Sequence, residues 1–286
     1  DALLKEYYTL IKPGIVRGNL LAAVGGFLLA SRGSIDVGLL LAAMVGTALV
    51  IASACVFNNY IDRSIDQQME RTKQRALVTG KISGVHAIVY GALLGVVGFV
   101  LLALYTNSLT VLLGLIAFVF YVVIYGIGKR KTVHGTLIGT IPGALPPVAG
   151  YTAVTNDLDT AAVLLFLIMV FWQMPHFYAI GMFRRRDYAE AGLPIMPVKR
   201  GFAATKRHMV AYVVGFVCLE PMLTVTGYTK YTYATVMLLL GIGWLRLLRD
   251  GFPAVDDEKW AKQMFGYSLL VLLVFCTVIS LEVWLP

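Results

Sequence analysis

The sequence predicts an all-α, polytopic membrane protein with about nine transmembrane helices. Three observations lead there. Apolar residues make up 58% of the chain and mean hydropathy is +0.77, which argues against a water-soluble domain. These residues gather in charge-poor runs, each near the roughly 20 residues needed to cross a bilayer. Basic residues are also one-sided: of the 24 lysines and arginines, only Arg32 and Lys230 fall on the opposite face. Backbone in lipid must satisfy its own hydrogen bonds, so the apolar runs are expected to be helices.

Spans are expected at roughly 14–31, 38–58, 84–105, 108–127, 135–154, 161–181, 208–228, 231–248 and 265–285. They form a single integral-membrane domain over residues 1–286, with charged loops at about 59–83 and 182–207. The basic bias places the N-terminus and the even-numbered loops in the cytoplasm and the C-terminus outside. In a bacterium this is the inner membrane, with a periplasmic C-terminus. The net charge of +8 is therefore a topology signal and not the footprint of a nucleic-acid partner. Residues 1–12 lack the pattern of a cleaved signal peptide, so the first span is expected to be retained. Cys55, Cys218 and Cys276 lie in apolar spans without a C-x-x-C partner and read as buried small residues.

Lys12-Pro13-Gly14 opens the first span, where proline is tolerated at a helix start. Arg17 and Asn19 follow inside it; Arg17 either faces substrate or snorkels to the nearby surface. The second span leads into Asn58, Asp62 and Asp66, which recur every fourth residue and so share one helical face. Two carboxylates and an amide at that pitch offer hard oxygens to Mg²⁺, an ion often shared between protein carboxylates and a substrate phosphate. Arg71, Lys73 and Arg75 follow and could hold the remaining phosphate oxygens. The alternative is a solvated loop whose basic residues only set topology.

In the third span Gly91 and Gly95 permit close helix contact. Tyr121 and Tyr125 end the fourth, either as interface anchors or as pocket lining. The basic loop that follows, with Lys131, sets topology and would also attract a polyanionic substrate. Pro142, Pro146 and Pro147 mark the fifth span as a kinked packing helix or a bend beside a cavity. The sixth ends in Trp172-Gln173-Met174-Pro175-His176-Phe177-Tyr178. His176 there is a hydrogen-bonded core residue, an iron ligand or a proton donor, and Gln173 and Tyr178 crowd polar groups onto the same end. In the next loop Asp187 and Glu190 follow Arg184, three residues apart and on one face if helical. Two acidic clusters rimmed with arginine on one side of a bilayer suggest Mg²⁺ gripping a diphosphate. Glu220-Pro221 interrupts the seventh span.

The run Asn58-x3-Asp62-x2-Ile65-Asp66-x2-Met69-x-Arg71-Thr72-x2-Arg75-x4-Gly80 resembles the signature of the intramembrane (UbiA-type) aromatic prenyltransferases. Three stretches resemble the haem O synthase branch: Lys12-Pro13-Gly14 with Gly18-Asn19; Trp172 to Tyr178; and Asp187-Tyr188-x2-Ala191-Gly192-x-Pro194-x2-Pro197-Val198. Quinone and chlorophyll branches carry Asp-x3-Asp as the second motif, whereas here Ala191 stands four after Asp187. Glu190 is then either a metal ligand or part of the rim.

The resemblance implies helices around a central cavity with the active site at the cytoplasmic face. It implies farnesyl diphosphate and haem b as substrates, Mg²⁺ as cofactor, and a product used by haem A synthase or a terminal oxidase assembly. It assigns metal ligation to Asp62, Asp66, Asp187 and Asn58, and diphosphate contacts to Arg71 and Arg75. Lys73, Arg17, Tyr121, Tyr125, Lys131, Tyr178, Arg184 and Glu190 are the expected substrate contacts, and His176 contacts haem iron or steers water. Competing readings are a prenyltransferase of a quinone precursor such as 4-hydroxybenzoate, a haem or lipid transporter, and a non-catalytic haem chaperone.

Overall fold

The long apolar runs fold as helices, and several begin at a polar cap that the sequence places just ahead of them. The side chains of Asp36, Asn107, Asp159 and Asp256 accept the backbone N–H three residues on, at 2.9, 2.9, 3.1 and 2.9 Å. A computed structural model describes residues 2–286. The short helix α1 (Ala2–Leu10) precedes α2 (Pro13–Ser31), α3 (Val37–Asp66) and α4 (Gly84–Tyr105). Next, α5 (Ser108–Val119) passes through a π-helical turn (Phe120–Ile124) into α6 (Tyr125–Lys131). The helices α7 (Gly135–Thr155) and α8 (Thr160–Phe183) lead to the short α9 (Arg185–Glu190) and α10 (Met196–Lys199). The chain ends with α11 (Gly201–Leu219), α12 (Met222–Val225), α13 (Tyr231–Asp250) and α14 (Asp257–Leu281).

Among the described residues, nine helical spans are long and apolar enough to cross a membrane, and no strand occurs. Their ends correct the sequence boundaries. The second span continues as helix to Asp66, so Asn58, Asp62 and Asp66 are helical and the charged loop is 67–83. The seventh and ninth begin at Gly201 and Asp257, not at 208 and 265. Hydropathy marks only the stretch that lipid requires, and a helix needs no apolar residues to continue past the interface. Pro221 interrupts the seventh helix after Leu219, and Glu220 beside it is fully buried.

Close backbone approaches set the packing around α7, which lies between α2 and α8. A Cβ on Gly26 would stand 1.9 Å from the Pro147 carbonyl oxygen, and one on Gly150 would stand 2.0 Å from that of Ala23. Thus α2 and α7 cross where only glycine fits. The stripe Gly91, Gly95 and Gly98 of α4 lies against α3, where the Ser53 hydroxyl donates to the Gly91 carbonyl at 2.6 Å. Cys55 and Cys276 are buried, but Cys218 is exposed on the outer surface of α11, correcting the expectation for it. A lipid-facing surface and a protein core accept the same apolar residues, so composition does not separate them.

Candidate active site

A cavity of about 920 Å³ lies between α2, α3, the α5–α6 span, α7, α8 and α14. Its charged end is built from the last turns of α3. Asn58, Asp62 and Asp66 are 3, 6 and 5% exposed and all face the cavity. Burying carboxylates is costly unless each finds a partner. Asp62 meets the Lys129 ammonium, and its other oxygen accepts from Arg130 Nη2 at 3.1 Å. Asp66 accepts from Arg75 Nη1 at 2.7 Å, and the same guanidinium donates to Asn59 Oδ1 at 3.0 Å. Asn59 in turn donates to the Leu10 carbonyl at 2.8 Å, which ties α1 to the cluster.

Lys12 joins from the turn between α1 and α2. Its φ of 51° is rare for a residue with a side chain, and its ammonium donates to Asn58 Oδ1 at 2.5 Å. Burial pulls the Lys12 ammonium down to about 8, and Arg75 and Lys129 add to the fall. Because Oδ1 is taken by Lys12, Asn58 turns its amide N–H atoms elsewhere, and Nδ2 is buried without a partner.

The second charged segment reaches the same end. Arg184 and Tyr188 line the cavity together with Arg71 and Arg75. Burial pushes the Tyr188 hydroxyl up, and Arg71 opposes this while Asp187 adds to it. Asp187 itself does not line the cavity; its Oδ2 is buried without a hydrogen bond, 4.0 Å from Arg184 Nη1. Among the described residues no three acidic, histidine or cysteine side chains converge, so Asp187 does not share one ligand cluster with Asp62 and Asp66. The three carboxylates instead turn to separate cations. Asp62 and Asp66 remain a buried pair of hard donors facing one space, which fits Mg²⁺ bound by one or two carboxylates plus substrate phosphate.

Four expected substrate contacts point elsewhere. Arg17 is exposed on α2, its Nε 3.3 Å from the Pro13 carbonyl. Lys73 pairs with Glu70 at 2.5 Å and Glu190 with Arg186 at 2.8 Å, both at the surface. Lys131 is exposed, because it lies about 200° around the helix from Lys129. Lys129 is the cavity residue instead, and the spacing Tyr121, Tyr125, Lys129 carried that signal. The two tyrosines line the cavity, stacked at 5.8 Å and 17°, with the Lys129 ammonium 5.0 Å from the Tyr125 ring centre. The π-helical turn Phe120–Ile124, which carries Tyr121 and ends at Tyr125, is a distortion common at functional sites. No spacing in the sequence singles out Lys12 within Lys12-Pro13-Gly14, and nothing separates Asn59 from its neighbour Asn58.

The apolar wall comes from α7, α8 and α14. Pro142, Gly143 and Pro146 line it from α7, which continues as helix through all three prolines. The Gln173 amide donates to the carbonyls of Thr140 and Met169, both at 3.0 Å, and its oxygen occupies the place a Gly143 Cβ would take. Tyr178 is buried and lines the cavity. His176 faces it as well, with Nδ1 2.8 Å from the Ser268 hydroxyl.

The model of the UbiA prenyltransferase family matches residues 19–272. The chain belongs to the UbiA prenyltransferase family. Among members similar to it, protoheme IX farnesyltransferase of Sodalis glossinidius is 46% identical over 99% of this chain and 96% of its own. The Pseudomonas savastanoi pv. phaseolicola protein of the same name is 48% identical, over 98% and 95%. A solved structure concerned with digeranylgeranylglyceryl phosphate synthase has a TM-score of 0.79 at 20% identity, covering 99% of both chains. A UbiA homologue from Archaeoglobus fulgidus, bound to GPP and Mg²⁺, has a TM-score of 0.71 at 16% identity, over 96% of this chain and 99% of that one. This UbiA chain thus shares their multi-pass helical fold.

Proposed function

We propose that this UbiA-family chain is a haem O synthase of the bacterial inner membrane, with its charged cavity end at the cytoplasmic side. It transfers farnesyl from farnesyl diphosphate to a vinyl group of haem b. The carrying observation is one cavity that joins a buried carboxylate pair ringed by cations to an apolar wall bearing a histidine. Relatives at 46–48% identity named protoheme IX farnesyltransferase favour haem over a quinone precursor as acceptor.

In the reaction the C1–O bond of farnesyl diphosphate breaks and diphosphate leaves. C1 joins the terminal vinyl carbon, water oxygen adds to the inner carbon, and a proton is released. Asp62 and Asp66 would hold Mg²⁺, and the ion would neutralise charge developing on the diphosphate; Asp187, outside the cavity lining, stands beside Arg184 at its edge. Arg71, Arg75 and Lys129 hold diphosphate oxygens through charge-assisted hydrogen bonds. Asn58 offers its unpartnered Nδ2 to the same anion. Tyr121, Tyr125 and the α7 wall enclose the allylic carbon and keep water from quenching it early.

The test is an incubation of detergent-solubilised protein with haem b, farnesyl diphosphate and Mg²⁺, with and without chelator, read by mass spectrometry. The expected product is haem heavier by one farnesyl group and one water, lost on chelation. Unchanged haem beside a prenylated aromatic acid would overturn the acceptor; unchanged yield with chelator would overturn the metal.

A further inference from the structure

His176 stands at the cavity wall in a setting that determines which ring nitrogen carries hydrogen. Ser268 on α14 is fully buried, and its hydroxyl lies 2.6 Å from the Phe265 carbonyl oxygen. Two oxygens that close need a hydrogen between them, and the hydroxyl has only one. Towards His176 Nδ1, at 2.8 Å, the same oxygen can therefore only accept. Nδ1 must carry the hydrogen, since two facing lone pairs at that distance would repel.

The ring plane is held as well. Trp172 and Phe265 pack against the imidazole with centres 4.9 and 5.0 Å away and planes inclined by 23° and 32°. Trp172 is itself anchored, its indole N–H donating to the Ser268 backbone carbonyl at 2.8 Å. One serine thus fixes the tautomer through its hydroxyl and the stacking partner through its carbonyl. Nε2 makes no hydrogen bond among the described residues. A neutral imidazole protonated at Nδ1 presents a bare lone pair at Nε2, the form that ligates a metal.

We propose that Ser268 is a positioning residue that holds His176 as the Nδ1–H tautomer, so that Nε2 ligates the iron of the haem substrate. This rests on the haem reading above. A neutral imidazole in this form has no proton to donate at Nε2, so it binds the iron and is no proton donor.

The experiment titrates haem b into the full-length, detergent-solubilised wild type, H176A and S268A. Absorption and the iron–imidazole stretch of the ferrous complex are read, and farnesyl diphosphate affinity reports on folding. Wild type should show a nitrogen-ligated spectrum that H176A loses. S268A should keep its farnesyl diphosphate affinity, bind haem about 10- to 100-fold more weakly and show a shifted stretch, because the Nδ1–H donor has lost its acceptor. If wild type binds no haem, the functional reading and this inference fall together. A nitrogen-ligated spectrum that survives in H176A overturns the iron contact and leaves haem as substrate. Loss of ligation in H176A with unchanged affinity and stretch in S268A overturns the role of Ser268.

Discussion

Asp62 and Asp66 sit on the last two turns of a 30-residue helix, whereas Asp187 and Glu190 sit on a helix of six. The first pair is buried and ion-paired with Lys129, Arg130 and Arg75. In the second, Glu190 pairs with Arg186 at the surface, and Asp187 leaves one buried oxygen without a hydrogen bond. Both segments carry two acidic residues rimmed by arginine, yet only the first is built as a preorganised site. A long helix packed along α4 holds its carboxylates at constant pitch. A six-residue helix is marginal alone and depends on ties such as Arg185 Nε to the Pro197 carbonyl at 3.1 Å. Burial together with charge partners, and not acidity, marks the preorganised cluster.

The largest effect is expected at the first pair. Asp62→Asn or Asp66→Asn should each lower the turnover of farnesyl transfer about a thousandfold, with the protein still inserted and monodisperse. Near-normal turnover in either would remove the diphosphate assignment. Asp187→Asn should cost less, about a hundredfold, because its carboxylate stands outside the cavity lining. A loss equal to that of Asp62→Asn would mean that the two segments close into one site during turnover.

Two lysines of the same helix should differ in what they contribute to stability. Lys129→Met leaves Asp62 with Arg130 alone and should cost up to about 3 kcal/mol, read as a lower unfolding midpoint in detergent. Lys131→Met, on the opposite face, should leave the midpoint unchanged; equal shifts would show that charge rather than placement matters. The smallest effect on turnover belongs to Glu190→Gln, expected to stay within about twofold of wild type, since an exposed ion pair contributes little. A large loss there would restore Glu190 to the metal site.

Much of this was legible in the residues themselves. Lipid forces apolar runs of sufficient length into helices, so the nine spans follow from hydropathy. The four-residue recurrence of Asn58, Asp62 and Asp66 sets a shared helical face before any packing is known. The interior half of the site followed a different logic. Lys12 reaches Asn58 across 46 residues, Lys129 reaches Asp62 across 67, and Ser268 reaches His176 across 92. Local periodicity carries no information about such pairs, because they depend on which helices become neighbours. Nor does it separate Lys129 from Lys131 until the cavity supplies a direction. Local residue patterns are enough to set the helices, their faces and the family chemistry. Only the packing of the helices sets which charges neutralise one another and which nitrogen of His176 meets Ser268, because both are properties of contacts between distant segments.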